Sequence, residues 1–189
     1  MIKQILFALF FCLVVAETVI AGESVIITSK LIHLRSSGDR EWSTFPESGQ
    51  KKELSVPFEA KVNQGEGTLL LRQQDVKQTW NVELNGTVLG KLVPDANDQQ
   101  LLLAVPPKTV KAGKNQLRIY QAGKMDPDDI RVGEIVYFAE PKQNVLSESQ
   151  LTIEVVDGKS SKPLPCRVTI VNLDKTLVAT TSESNERQA

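Results

Sequence analysis

The stretch Trp80-Asn-Val-Glu-Leu-Asn-Gly-Thr-Val-Leu-Gly-Lys-Leu92 puts Trp80, Val82 and Leu84 on one face of a strand and Asn81 and Glu83 on the other. Side chains alternate across a pleated strand, so that spacing describes a ribbon with one oily face and one wet face. Asn85-Gly86 follows at once. It is the preferred dipeptide for a two-residue type I′ hairpin, whose central residues both take positive φ. The chain returns through Thr87–Leu92, crosses the loop Pro94-Asp-Ala-Asn-Asp98 and enters the apolar run Leu101–Val105. Ala112-Gly-Lys-Asn115 then turns into Gln116-Leu-Arg-Ile-Tyr120, with Leu117 and Ile119 inward.

The same pattern extends in both directions. Ser24–Leu34 is β-branched and apolar, Leu54–Phe58 is short with Pro57 marking an edge strand, and Thr68–Arg72 suits a strand covered on both sides. Glu41-Trp-Ser-Thr-Phe45 reads as a further short strand ended by Pro46, and Ile130–Phe138 closes the unit. No window sustains a capped helical period, which makes the chain all-β. Glu140-Pro-Lys-Gln-Asn144 has linker composition. A second unit follows: Leu151–Val155 alternates, Asp157-Gly-Lys159 turns, and Cys166–Val171 and Thr176–Ala179 supply two more strands. The boundaries expected are 1–21 for a leader, 24–140 for the first sandwich, 141–148 for the linker, 149–180 for the second unit and 181–189 for a polar tail. Three strands bury too little apolar surface to offset chain entropy, so the second unit is expected either to pack on the first or, the favoured reading, to be the front end of something longer.

The leader expectation rests on Lys3, the apolar run Ile5–Val15 and the small residues around Ala21. That run is shorter than the roughly 20 apolar residues that span a bilayer, and it fits a cleaved signal peptide that sends the protein to the periplasm or outside the cell. Cleavage removes Lys3, Glu17 and Cys12, leaving the net charge of −1 unchanged and Cys166 as a lone thiol. The fold is therefore expected to rest on its core without a disulfide, with Cys166 buried as a small apolar residue. Near-neutral charge with dispersed lysines excludes a general affinity for nucleic acid or for an anionic membrane.

Among 189 residues there is one histidine, His33, inside an apolar strand. Neither a Ser-His-Asp triad nor a histidine-rich metal centre can be assembled from it, so no catalytic residue is assigned and the chain is expected not to be an enzyme. Carbohydrate recognition needs exposed aromatic faces beside polar groups. Trp42 with its neighbour Arg40, and Tyr120 on the outward parity of its strand, are the candidates. Asp126, Asp128 and Asp129 supply loop carboxylates of the kind a Ca²⁺ ion takes, although turn chemistry also accounts for them.

Taken together, Trp80-Asn-Val-Glu-Leu-Asn-Gly…Leu-Gly-Lys-Leu92, Val110-Lys-Ala-Gly-Lys-Asn-Gln-Leu-Arg-Ile119 and Asp128-Asp-Ile-Arg-Val-Gly-Glu-Ile135 resemble galactose-binding-like jelly-roll domains. Leu151–Val171, with Lys162-Pro-Leu-Pro165, is similar to the start of a carboxypeptidase-regulatory-like domain, a transthyretin-type (Ig-like) β-sandwich, with Ser161 where that family has glycine. The order of the two resembles the front of secreted bacterial PHP-type metallohydrolases. The resemblance implies a jelly-roll β-sandwich followed by a partial Ig/transthyretin-like sandwich, acting as an exported non-catalytic module that binds carbohydrate or packs on an adjoining protein domain. Two alternatives stand beside it: the non-catalytic N-terminal part of a metal-dependent hydrolase, and a structural adhesion module of the cell surface.

Overall fold

A computed structural model describes residues 23–35, 39–47, 52–124, 126–146 and 151–180. The leader, the polar tail and the end of the linker lie outside the described residues. Eight strands run in order: β1 (Ser24–Leu34), β2 (Glu53–Ala60), β3 (Gly67–Gln74), β4 (Trp80–Leu84), β5 (Thr87–Lys91), β6 (Gln99–Val105), β7 (Gly113–Gln121) and β8 (Ile130–Phe138). They form two four-stranded antiparallel sheets, ordered β1-β8-β3-β6 and β2-β7-β4-β5. Except for the β4–β5 hairpin, each connection between consecutive strands carries the chain from one sheet to the other. Two sheets wound together in this way make a jelly-roll β-sandwich.

Alternation sets the core. Trp80, Val82 and Leu84 of β4 lie beside Leu117 and Ile119 of the neighbouring β7 on the inner face of one sheet, and all five are fully buried. Leu69, Leu71, Ile130, Val132 and Ile135 meet them from the other sheet. Asn85 and Gly86 have φ of 51° and 85°, as a type I′ turn requires. Pro57 lies on β2, an edge strand, where its missing N–H costs no ladder bond. In β8, Gly133 sits opposite Leu31 where β1 is irregular, and a Cβ there would lie 1.9 Å from the Lys30 carbonyl oxygen. Glycine lets the two backbones approach that closely.

At the hairpin end, the loops are sealed by amides. Asn85 Nδ2 donates to Asn115 Oδ1 at 2.7 Å, and Asn85 Oδ1 accepts from the Gln116 amide at 2.9 Å. Asn63, also buried, donates to the Pro106 carbonyl at 2.8 Å and accepts the Val110 amide at 2.8 Å. The loops β1–β2, β3–β4, β5–β6 and β7–β8 gather at the opposite end. Carboxylates close that end.

Several sequence expectations change. Glu41–Phe45 forms a turn, closed by the Phe45 amide on the Trp42 carbonyl at 3.0 Å, because its side chains bond across the rim and leave no strand to pair with. The linker holds one short helix, α1 (Lys142–Leu146). In residues 151–180 the pairing is confined to the isolated bridges Val156↔Pro163, Val171↔Leu177 and Gln99↔Leu177. Cys166, expected buried, is exposed because no second layer among the described residues covers it. The segment attaches to the free edge of β6, where the Gln100 amide donates to the Leu177 carbonyl at 2.9 Å and the Leu177 amide to that of Asp98 at 2.8 Å. Arg72 fastens the join: it makes two bonds to Asp98, at 2.7 and 2.6 Å, and pairs with Glu134 at 3.1 Å and Asp174 at 3.0 Å. Bonding to Asp98, more than to Glu134, raises its pKa still further above the ordinary range.

Candidate functional site

The carboxylate end brings together groups far apart in sequence. Asp128, between β7 and β8, accepts the amides of Lys77 and Gln78 on Oδ2 at 2.8 and 3.1 Å, and the indole N–H of Trp80 on Oδ1 at 2.8 Å. One side chain thereby ties the β3–β4 turn and a core tryptophan to the β7–β8 loop. Its neighbour Asp129 takes the Glu41 amide on Oδ2 at 2.5 Å. The turn carrying Glu41 and Trp42 is thus held against the start of β8.

That turn is pinned at several points. Phe45 is buried and packs edge-on to the His33 ring, with centroids 5.1 Å apart. Arg40 donates to the Phe45 carbonyl at 2.7 Å and pairs with Glu47 at 3.1 Å. Trp42 donates its indole N–H to Asp75, at the end of β3. Lys77 reaches Glu41 and Asp75, with its ammonium 5.7 Å from the Trp42 ring centroid. The bond to Glu41 chiefly raises the Lys77 pKa, so it stays a cation over the indole. Trp42 remains 49% exposed, the one aromatic among the exposed large apolar residues described. Beside it, Arg35, Asp39, Arg40, Glu41, Ser43 and Glu47 line an open hollow of about 600 Å³.

Tyr120 lies elsewhere on the same end, on the outer face of the β2-β7-β4-β5 sheet. Its hydroxyl donates to Glu83 at 3.2 Å and the Arg118 guanidinium sits 4.9 Å from its ring. It borders a second hollow of about 310 Å³, together with Lys52, Glu53 and Asp126. The structure therefore brings Trp42 and Arg40 together and puts Tyr120 with Asp126 in a different hollow. The three loop aspartates part company too. Asp128 and Asp129 are committed to the N–H groups above, and Asp126 pairs with Lys52 at 3.8 Å. Among the described residues, no group of three or more His, Cys, Asp or Glu is placed to hold a metal ion.

Sequence reading set Trp42 beside Arg40 and Glu41 and missed Asp75 and Lys77 as members of the cluster. They looked like ordinary polar turn residues, and their partners lie 33 to 36 positions away. The pairing of His33 with Asp129 left no signal either.

Two interleaved antiparallel sheets with a polar, aromatic-bearing rim define the class, an all-β jelly-roll sandwich. By sequence, the chain matches no protein-family profile and no curated protein. Among solved structures, it is similar to the CBM36-1 domain of a multidomain xylanase from the hindgut metagenome of Trinervitermes trinervoides, at 9% identity and a TM-score of 0.37, covering 61% of this chain and 96% of that one. It is also similar to a CBM36 carbohydrate-binding module in complex with calcium and xylotriose (11%, TM-score 0.34, 61% and 97% covered). A family 35 carbohydrate binding module from Clostridium thermocellum matches at 11% identity, TM-score 0.34, covering 62% and 99%. Likeness at that level carries neither the fold nor a ligand across; the strand order carries the fold. Among the described residues no helix is long and apolar enough to cross a membrane.

Proposed function

We propose that the chain is an exported, non-catalytic β-sandwich module whose Trp42 rim takes a carbohydrate. The observation that carries this reading is Trp42 itself: half-exposed, yet fixed through its indole N–H to Asp75 and flanked by Lys77. An immobilised ring loses little entropy when a sugar stacks on it, and Arg40, Asp39 and Glu41 beside the hollow supply donors and acceptors for hydroxyls. The lone histidine is buried against a carbonyl, which favours binding over catalysis. The reading is tested by glycan-array and calorimetric binding with wild type and Trp42→Ala. Loss of a stacked ring should weaken affinity about tenfold or more, in a variant that is still folded at the assay temperature. Equal affinity in the two proteins refutes it.

A second reading, docking onto an adjoining protein domain, is favoured by residues 151–173. Leu151, Ile153, Val168, Ile170 and Leu173 are exposed there, on a segment with no strand ladder of its own. In this reading the segment is the opening of a second sandwich that is completed by packing on further polypeptide. A rise in hydrogen-exchange protection at 151–173 when such a domain is supplied would support it; unchanged exchange would refute it.

A further inference from the structure

The rim proposed to bind carbohydrate depends on a turn, and the turn depends on one buried pair. We infer that His33 is the positioning residue of the Trp42 turn, and that a proton on its Nε2 tightens its hold. The bearing on binding rests on the reading of Trp42 given above; the clasp is measurable without any sugar.

His33 is 2% exposed. Its Nδ1 lies 2.9 Å from the Pro46 carbonyl oxygen, which can only accept, so Nδ1 carries the hydrogen. In the neutral ring Nε2 then holds a lone pair. Among the described residues that atom has no hydrogen-bond partner, and it lies 3.6 Å from Asp129 Oδ2. A lone pair facing a carboxylate oxygen repels it. A proton converts the contact into a charge-assisted one. The same Asp129 oxygen accepts the Glu41 amide, so the pair grips both ends of the turn, at Glu41 through Asp129 and at Pro46 through His33. Trp42 lies between those two grips.

Other charges face the pair from each side. Arg35 lies just past the end of β1, and Arg131 is the ladder partner of His33 on β8, with its guanidinium 5.7 Å from the Phe45 ring. Asp75 and Lys77 of the β3–β4 turn pair with each other and meet Trp42 and Glu41, and Arg40, Glu41 and Glu47 belong to the turn and its flanks. Asp129 is the group placed within 4 Å of Nε2.

The test is acrylamide quenching of tryptophan emission from pH 5 to 8, where imidazoles titrate. Trp42 is accessible to the quencher and Trp80 is fully buried. In the wild type the quenching constant should be about twofold lower at the acidic end. His33→Gln places an N–H near the Nε2 position and should hold the acidic value throughout. His33→Asn keeps a donor near Nδ1 alone and should hold the alkaline value. Asp129→Asn keeps an acceptor for the Glu41 amide and should also flatten the profile, which decides the matter if either His33 variant fails to fold. A flat wild-type profile, or a step that survives in all the folded variants, overturns the inference. Sugar binding untouched by Trp42→Ala would instead overturn the proposed function and leave the quenching result standing.

Discussion

Removing the Asp128 carboxylate should loosen the whole site-bearing end of the sandwich. In Asp128→Ala three donors lose their acceptor: the Lys77 amide, the Gln78 amide and the Trp80 indole N–H. Hydrogen bonds to a charged group contribute about 1.5–3 kcal/mol each when buried. The Lys77 amide is solvent-facing and recovers its bond from water, so the loss comes mainly from the other two. The expected total is about 2–4 kcal/mol, or roughly 5–15 °C in melting temperature for a protein of this size. Asp128→Asn separates charge from geometry. Its amide group presents a donor to one side of a site that offers donors on both, so it should recover less than half of the loss. Urea unfolding followed by tryptophan emission reads both variants, since Trp80 is itself a ligand of the staple. A loss below about 0.5 kcal/mol in Asp128→Ala would refute the view that this residue ties the end together.

The remaining predictions concern other parts of the fold. Gly133→Ala drives a Cβ to within 1.9 Å of the Lys30 carbonyl oxygen, and should cost about 3 kcal/mol or more in urea unfolding. Tyr137 has its hydroxyl buried without a partner among the described residues, so Tyr137→Phe should stabilise by about 1 kcal/mol. Burial raises the Tyr137 pKa, meaning that the fold favours its protonated form. Above the ordinary tyrosine value of about 10 the native state therefore binds more protons than the unfolded chain, and stability falls as pH rises. Alkaline unfolding of the wild type should accordingly be steeper than that of Tyr137→Phe. Hydrogen bonding from Thr176 holds the Asp174 carboxyl below its ordinary value, which favours the anion that pairs with Arg72. That contribution is present above the ordinary carboxylate range and lost as pH falls through the lowered value. Asp174→Asn should speed limited proteolysis within 151–180, and an unchanged cleavage rate would remove Arg72 from its fastening role.

What could be read from the sequence was local. The parity of Trp80, Val82 and Leu84 and the Asn85-Gly86 turn are properties of adjacent residues, and they placed β4 and β5 correctly. Pro57 marked its edge strand because a missing donor is a property of one residue. The rim was harder, because its bonds link partners as far apart as Glu41 and Asp129, 88 positions away. Asp128 and Asp129 looked like turn residues or metal ligands because nothing nearby announces a Trp80 indole or a Glu41 amide. Cys166 misled for the opposite reason. Alternation at 166–170 indicates which face would be covered, and says nothing about whether a covering layer exists.

The winding of the two sheets also constrains how the molecule comes into being. β1 is hydrogen-bonded to β8 alone, so the first strand has no sheet neighbour until the chain has been made as far as Phe138. The β4–β5 hairpin can close by itself; the other ladders must wait for distant sequence. Proteins dominated by such remote pairings fold in about milliseconds to seconds. During synthesis a growing chain of this kind stays open, with its oily faces unmatched, for longer than the folding step itself takes.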